Sequence, residues 1–128
     1  MLIEVLKSKI FMATVTDARP DYEGSITIDS ALMKASGLLR NEKVLVANFT
    51  TGARFETYVI QAPAGSGTVC INGAATHLAQ TGDEVIVMSF CSLTPREYKR
   101  HKPKIIHLDK NNRIIDARKT HAAKAFKV

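Results

Sequence analysis

Tryptophan is absent from this 128-residue sequence, and aromatic residues make up only 6% of it. The core must therefore be built mainly from Val, Ile, Leu, Ala and Met. No apolar run is long enough to cross a bilayer, and the N-terminal stretch carries charges where a signal peptide would be apolar. We therefore expect a cytoplasmic protein that has no membrane partner.

Cysteine and histidine are also scarce, with two and four residues respectively. Cys70 and Cys91 lie in or beside apolar segments, which favours two buried, reduced thiols over a disulfide or a redox pair. The histidines are scattered without ligand spacing, so we expect no metal site. The sequence also lacks a glycine-rich phosphate loop, HExxH and GxSxG, so it does not indicate the enzyme classes that these motifs mark.

Positive charge is concentrated near the C-terminus. The net charge is +6, and residues 99–128 hold ten basic and two acidic residues. A basic segment can attract nucleic acid, but this one contains a single aromatic residue and no recognised nucleic-acid motif. We interpret it as a solvated segment, expect 117–128 to be mobile, and keep nucleic-acid binding as the weakest alternative. Residues 1–116 are expected to form one domain.

Short β-rich segments separated by turn residues predict a mainly β fold, either a sandwich or a small closed barrel. Short helices are predicted at 30–36, with Asp29 or Ser30 as N-cap and Gly37 as C-cap, and from residue 73. Residues 17–24 are predicted to form a loop. The predicted strands are 10–16, 25–28, 43–49, 54–61, 68–72, 84–90, 104–109 and 113–116.

One junction in this pattern carries a candidate chemistry. Gly24-Ser25 joins the predicted loop directly to an apolar strand, whereas a second copy of the dipeptide, Gly65-Ser66, lies in a Pro/Gly turn. A serine hydroxyl can attack the preceding glycine carbonyl in a strained turn and convert the amide to an ester. Elimination and hydrolysis then leave a pyruvoyl group at the new N-terminus, which can do the carbanion-stabilising work of pyridoxal phosphate.

Several motifs, taken together and in this order, resemble the bacterial aspartate 1-decarboxylase family. They are Lys9-Ile10, Tyr22-Glu23-Gly24-Ser25, Arg54 with Thr57-Tyr58, and Ile71-Asn72-Gly73-Ala74-Ala75. The resemblance runs in register from about residue 3 to residue 116. It implies a six-stranded double-psi β-barrel with short helices, assembled as a homotetramer with active sites between subunits.

The resemblance also implies an activity and its residues. L-aspartate would be converted to β-alanine and carbon dioxide for pantothenate and coenzyme A biosynthesis, without a metal or pyridoxal phosphate. The inactive precursor would cut itself between Gly24 and Ser25, and Ser25 would become the pyruvoyl group that forms a Schiff base with the substrate. The other implied roles are proton donation by Tyr58, support of cleavage and substrate contact by Thr57, carboxylate binding by Lys9 and Arg54, and a pocket wall of Asn72, Gly73, Ala74 and Ala75.

The residues leave other interpretations open. Lys9 and Arg54 would be ordinary surface charges without the resemblance, Tyr58 a core aromatic, and 73–75 a tightly packed segment. Thr57 and Tyr58 point to opposite faces of a regular strand, so a shared site needs a bulge or a second subunit. The family usually has histidine after Lys-Ile, where this chain has Phe11. A non-catalytic double-psi barrel module is therefore the alternative, and a maturation partner is neither required nor excluded.

Overall fold

The computed structural model describes residues 1–116. The predicted mobile tail, 117–128, lies outside the described residues. Within 1–116, nine strands, two short α-helices and one 3₁₀ helix are present. The strands are β1 (Ile3–Thr14), β2 (Asp17–Arg19), β3 (Ser25–Asp29), β4 (Lys43–Asn48), β5 (Arg54–Ala62), β6 (Val69–Asn72), β7 (Glu84–Leu93), β8 (Lys104–Leu108) and β9 (Ile114–Ile115). The helices are α1 (Ser30–Ser36), the 3₁₀ helix (Gly73–His77) and α2 (Pro95–Tyr98).

The strands are hydrogen-bonded in the order β2-β6-β3-β5-β4-β7-β1-β8-β9. Most neighbours are antiparallel, but β1–β8, β2–β6 and β3–β5 are parallel. The mainly β prediction is therefore confirmed. Parallel pairs cannot be made by tight hairpins, so the chain returns to its earlier strands after long connections.

The core lies on one face of these strands and is almost entirely aliphatic. Ile10, Ile26, Val59, Ile71 and Val87 are fully buried there. Because side chains alternate along a strand, their sequence neighbours project from the opposite face, which we call the outer face. The composition-based prediction of a core without large aromatics is confirmed for these residues.

Helix α1 begins and ends where its sequence predicted. The Asp29 carboxylate accepts a hydrogen bond from Ala31 N over 2.8 Å, and Gly37 ends the helix with φ +79°. Asp29 also accepts from Gly65 N over 3.0 Å and from Gly67 N over 2.9 Å. One buried carboxylate thus joins the end of β3, the start of α1 and the turn at 63–67.

Three sequence predictions were wrong in detail. Residues 17–19 form β2 instead of loop, because their backbone pairs with β6. Strand β1 begins at Ile3, seven residues before the predicted start at residue 10. Lys7 lies within this added part of the strand, and its charge is paired with Glu42 over 2.8 Å. Helix α2 was missed, although its capping box, Thr94 with Glu97, is visible in the sequence.

The two thiols differ in burial. Both are free, Cys70 is buried and Cys91 is only half-buried, so the prediction of two buried thiols is correct for Cys70 alone. Within 1–116 no three His, Cys, Asp or Glu side chains are grouped as a metal site requires. Over the same residues, no helix has the length and apolar character needed to span a membrane.

Candidate active site at the Gly24–Ser25 bond

Ser25 is the first residue of β3 and only 1% of its surface is exposed. It lies directly opposite Asn72 in the antiparallel pair of β3 and β6. Asn72 Nδ2 donates to Ser25 Oγ over 3.0 Å, and Ser25 Oγ donates to the Glu23 carbonyl over 3.3 Å. The hydroxyl is therefore held from both sides, next to the peptide bond that precedes it.

Gly24 is packed against the backbone of Gly73. A methyl group built on Gly73 would lie 2.7 Å from both the Cα and the N of Gly24, and 3.0 Å from the Tyr22 carbonyl oxygen. Gly73 also has φ +74°, a conformation that favours glycine. Two separate constraints therefore require glycine at position 73, and one of them is contact with Gly24, the residue before Ser25.

The side chain of Asn72 is the centre of a small buried network. Its Nδ2 donates to Thr27 Oγ1 over 2.9 Å as well as to Ser25, and its Oδ1 accepts from Cys70 Sγ over 3.3 Å. Both ends of the amide are therefore hydrogen-bonded. Burial raises the pKa of the Cys70 thiol, and the charge of Asp17 on β2 raises it further.

The segment before Gly24 has its own internal contacts. The Arg19 guanidinium lies 5.1 Å from the centre of the Tyr22 ring and donates to Tyr22 Oη over 3.1 Å. Arg19 Nε also donates to Asp17 Oδ2 over 2.8 Å, which holds the pKa of that carboxyl below its usual value. This segment borders a cavity of about 200 Å³ beside Asn72. The cavity is lined by Thr16, Asp17, Arg19, Tyr22, Thr27, Thr68, Cys70 and Asn72.

The second Gly-Ser pair has a different environment. Gly65 has φ +81° and donates its N–H to Asp29, while the exposed Ser66 accepts a hydrogen bond from Thr68 N over 3.3 Å. This is an ordinary turn at the surface. The two dipeptides are identical in sequence, but only Ser25 is buried and held by a side-chain donor.

Tyr58 lies beside Ser25 in the register of β3 and β5. Ile26 pairs with Val59 in the core, so the preceding residues, Ser25 and Tyr58, both project from the outer face at the start of the parallel pair. Tyr58 is 36% exposed, which does not fit a core aromatic. Thr57 pairs with Val44, and the next pair is Lys43–Tyr58, without a register shift between them. The Thr57 side chain therefore projects from the face of β5 opposite to Tyr58.

Lys9 shares the outer face but is far from Ser25 within one chain. Strands β5, β4 and β7 lie between β3 and β1, so four spacings of about 4.8 Å separate the two residues, or roughly 19 Å along the sheet. Arg54 is four residues from Tyr58 on β5, which is roughly 13 Å along the strand. Within one chain, contacts join Ser25, Gly24, Asn72 and Gly73 and the register places Tyr58 next to Ser25, whereas the strand order and spacing place Lys9 and Arg54 farther along the sheet.

The alanines that follow Gly73 have different environments. Ala74 is exposed on the first turn of the 3₁₀ helix. Ala75 is partly buried and packs against the hydrophobic core. The exposed Ala74 can therefore contact a bound molecule, whereas Ala75 also packs against the core.

The surroundings of Lys9 include a residue that sequence reasoning missed. His107 on β8 lies directly beside Phe11 on β1, and the two rings are 5.1 Å apart. Lys9 Nζ lies 5.6 Å from the centre of the Phe11 ring. Burial lowers the pKa of His107, and the positive charge of Lys9 lowers it further. No local motif marks this contact, because it depends on the parallel register of strands about 95 residues apart.

Comparisons with known proteins identify the family of this chain. The family described as aspartate decarboxylase matches residues 1–115. A protein of Caldicellulosiruptor saccharolyticus named aspartate 1-decarboxylase is 62% identical over 115 residues, covering 90% of each chain. A protein of the same name from Corynebacterium efficiens is 54% identical over 90% of this chain and 85% of its own length. Another, from Clostridium acetobutylicum, is 54% identical over 89% of this chain and 90% of its own length. This chain therefore belongs to the aspartate decarboxylase family.

Proposed function

We propose that this chain decarboxylates L-aspartate to β-alanine and carbon dioxide, after cutting itself between Gly24 and Ser25. The observation that carries the proposal is the buried Ser25 hydroxyl, which Asn72 holds over 3.0 Å beside a glycine packed on Gly73. Membership of the aspartate decarboxylase family supports the same reaction. The chain would then be a carboxy-lyase that supplies β-alanine to pantothenate biosynthesis in the cytoplasm.

Self-cleavage begins with attack of Ser25 Oγ on the Gly24 carbonyl carbon. The C–N bond breaks as the C–O bond forms, so that Gly24 becomes an ester of the Ser25 side chain and the serine nitrogen becomes an amine. Loss of the Cα proton and of the Gly24 carboxylate leaves a dehydroalanine. One water then replaces the nitrogen, which leaves as ammonia, so the whole sequence consumes one water. We assign Thr57 the supporting role at the Gly24 carbonyl, and because Thr57 and Tyr58 leave opposite faces of β5 without a bulge, we propose that the two residues serve sites of different subunits.

The residues around Ser25 suit a pyruvoyl group at this position. Asn72 Nδ2 donates to Ser25 Oγ before cleavage, and because that oxygen departs with the Gly24 carboxylate, this N–H would then be free to donate to the new group; Gly73 leaves the adjoining backbone uncrowded. Such a group supplies an electrophilic carbonyl that takes up the substrate amine and withdraws the electrons freed when carbon dioxide leaves. Tyr58, exposed on the same face beside Ser25, would donate the proton that replaces the lost carboxyl group.

Aspartate carries two carboxylates, so its pocket needs cations. Arg54 offers a bidentate fork and Lys9 a point charge. Both lie on the outer face, Lys9 four strands from Ser25 and Arg54 four residues from Tyr58 along β5. We therefore propose a homotetramer in which Lys9 and Arg54 of one subunit approach Ser25, Asn72, Gly73, Ala74 and Ala75 of another.

We also propose that six of the nine strands form a double-psi barrel. The three parallel pairings between strands distant in the chain support this topology, because a barrel of simple hairpins would contain only antiparallel neighbours. The barrel would bury Ile10, Ile26 and Val59 inside and present the catalytic residues on its outer surface.

The activity test compares matched serine variants. Wild-type protein should release carbon dioxide from L-aspartate and form β-alanine, and Ser25→Ala should stay uncleaved and inactive. Ser66→Ala, which alters the other Gly-Ser pair, should behave as wild type. Tyr58→Phe should cleave normally but lose about 100-fold or more in decarboxylation. An active Ser25→Ala protein, or a wild type that never acts on aspartate, would overturn the proposal.

A further inference from the structure

The orientation of the Asn72 amide is not fixed by Ser25 and Thr27 alone. Both partners are hydroxyls, which can donate as well as accept. Half a turn about the last side-chain bond would exchange Nδ2 and Oδ1, and both hydroxyls could then donate to the oxygen. In the observed orientation, Nδ2 donates to Ser25 and the serine proton is directed to the Glu23 carbonyl. In the rotated one, that proton would be directed to Asn72.

Cys70 distinguishes these two orientations. Its sulfur lies 3.3 Å from Asn72 Oδ1, and its other acceptor, the Ile71 carbonyl, is more distant at 3.9 Å. A thiol is a weak donor, but this one faces the oxygen end of the amide in a buried environment, where 5% of Cys70 and 3% of Asn72 are exposed. Rotation of the amide would replace this hydrogen bond by an N–H facing sulfur, which is only a weak acceptor.

We propose that Cys70 is a positioning residue for self-cleavage, which holds Asn72 so that its Nδ2 donates to Ser25 Oγ. This inference rests on the proposed function and adds a residue to it. In this role Cys70 acts through its hydrogen bond to Asn72 and not on the Gly24–Ser25 bond itself. Burial raises the pKa of the Cys70 thiol and so favours the protonated form that the donor role requires.

Two substitutions separate this role from simple packing. Cys70→Val keeps an apolar side chain of similar volume and removes the donor. Cys70→Ser keeps a donor and buries a more polar group. Packing alone predicts that Val is the better replacement, whereas hydrogen bonding to Asn72 predicts Ser. The packing role and the hydrogen-bonding role therefore predict opposite rankings of the two variants.

The experiment follows the fraction of cleaved chain over time by intact mass, with full-length protein and no substrate. Cys70→Val should cleave roughly tenfold more slowly than wild type, which corresponds to about 1.4 kcal/mol in the barrier, and Cys70→Ser should stay within about threefold. Urea unfolding in a Ser25→Ala background should show Val at least as stable as Ser. Cys91→Val, at the half-buried second cysteine, should cleave at the wild-type rate.

The outcomes distinguish the two proposals. If wild type cleaves and Cys70→Val cleaves as fast as Cys70→Ser, the positioning role is overturned and the proposed function stands. Slow cleavage of both variants in proportion to their lost stability would also overturn it. If wild type itself never cleaves, the proposed function falls and the role of Cys70 falls with it.

Discussion

Gly73 and Gly24 touch so closely that a single methyl group cannot be placed between them. A methyl group on Gly73 would lie 2.7 Å from the Gly24 Cα, well inside the usual contact distance of carbon atoms. Because the 3₁₀ helix starts at Gly73 and β3 starts after Gly24, this contact sets the position of the bond before Ser25. We therefore infer that Gly73, which we propose as part of the pocket wall, also positions the bond proposed for cleavage.

Gly73→Ala should slow self-cleavage by at least about tenfold, because the added methyl must push Gly24 or Tyr22 away. Alanine is strained at any position with a positive φ. The control variant must therefore also place alanine at a positive φ. Gly82 has φ +91°, and a methyl group there would have nothing within 4 Å. Gly82→Ala should therefore lose stability without slowing cleavage. Equal cleavage rates for the two variants, measured by intact mass, would contradict the contact's proposed role.

A site shared between subunits predicts complementation. Ser25→Ala and Lys9→Met should each be inactive alone, the first because it cannot mature and the second because its sites lack a cation. Co-assembled subunits would pair Ser25 of one variant with Lys9 of the other and restore about a quarter of the wild-type sites under random mixing. Carbon dioxide release measures this recovery. Mixed assemblies that stay inactive would place both residues in the same subunit's site.

Asp29 should be among the costlier positions for stability. Asp29→Ala removes the N-cap of α1, worth about 0.5–2 kcal/mol, and leaves the N–H groups of Gly65 and Gly67 without their acceptor, at about 1–3 kcal/mol for each that stays buried. Asp29→Asn, which keeps one acceptor oxygen, should lose less. Urea unfolding in the Ser25→Ala background, at one protein concentration, gives the free energies. Equal stability of Asp29→Ala and its parent would contradict the assigned hydrogen bonds.

His107 predicts a pH dependence of stability. Burial and then Lys9 lower its pKa in the folded chain, so between that value and the unfolded value of about 6.5 the unfolded state binds more protons. The stability that neutral His107 contributes is therefore fully present above its unfolded-state pKa, and it is lost as the pH falls through its folded-state pKa. His107→Gln should reduce this slope in urea midpoints measured from about pH 8 down to pH 5. The exposed His77→Gln should keep it, and an unchanged slope in His107→Gln would contradict the assignment.

Local signals in the sequence were enough for much of the fold. The caps of α1, Asp29 and Gly37, were predictable because each acts within a few residues. The pairing of Ser25 with Asn72 was not, because it depends on the register of strands 47 residues apart. The same limit applies to His107 beside Phe11, and to β2, which is a strand only because β6 lies next to it.

The candidate site shows a similar division. The family resemblance indicated Gly24, Ser25 and Tyr58, but not that Lys9 lies four strands from Ser25 along the sheet. Cys70 looked only like a buried thiol, since its contact with Asn72 Oδ1 requires both side chains to lie on the outer face of β6. Sequence reasoning thus predicted the chemistry, and the structure added the neighbours of the predicted residues.

The intact mass of the purified protein tests the central claim most directly. The account predicts two fragments, 1–24 and 25–128, whose summed mass equals that of the intact chain plus one water and minus one ammonia. The larger fragment should react with a carbonyl reagent and resist N-terminal sequencing. An uncut chain would contradict the claim, and so would two fragments that gain a water but lose no ammonia, since hydrolysis alone leaves an ordinary N-terminal serine.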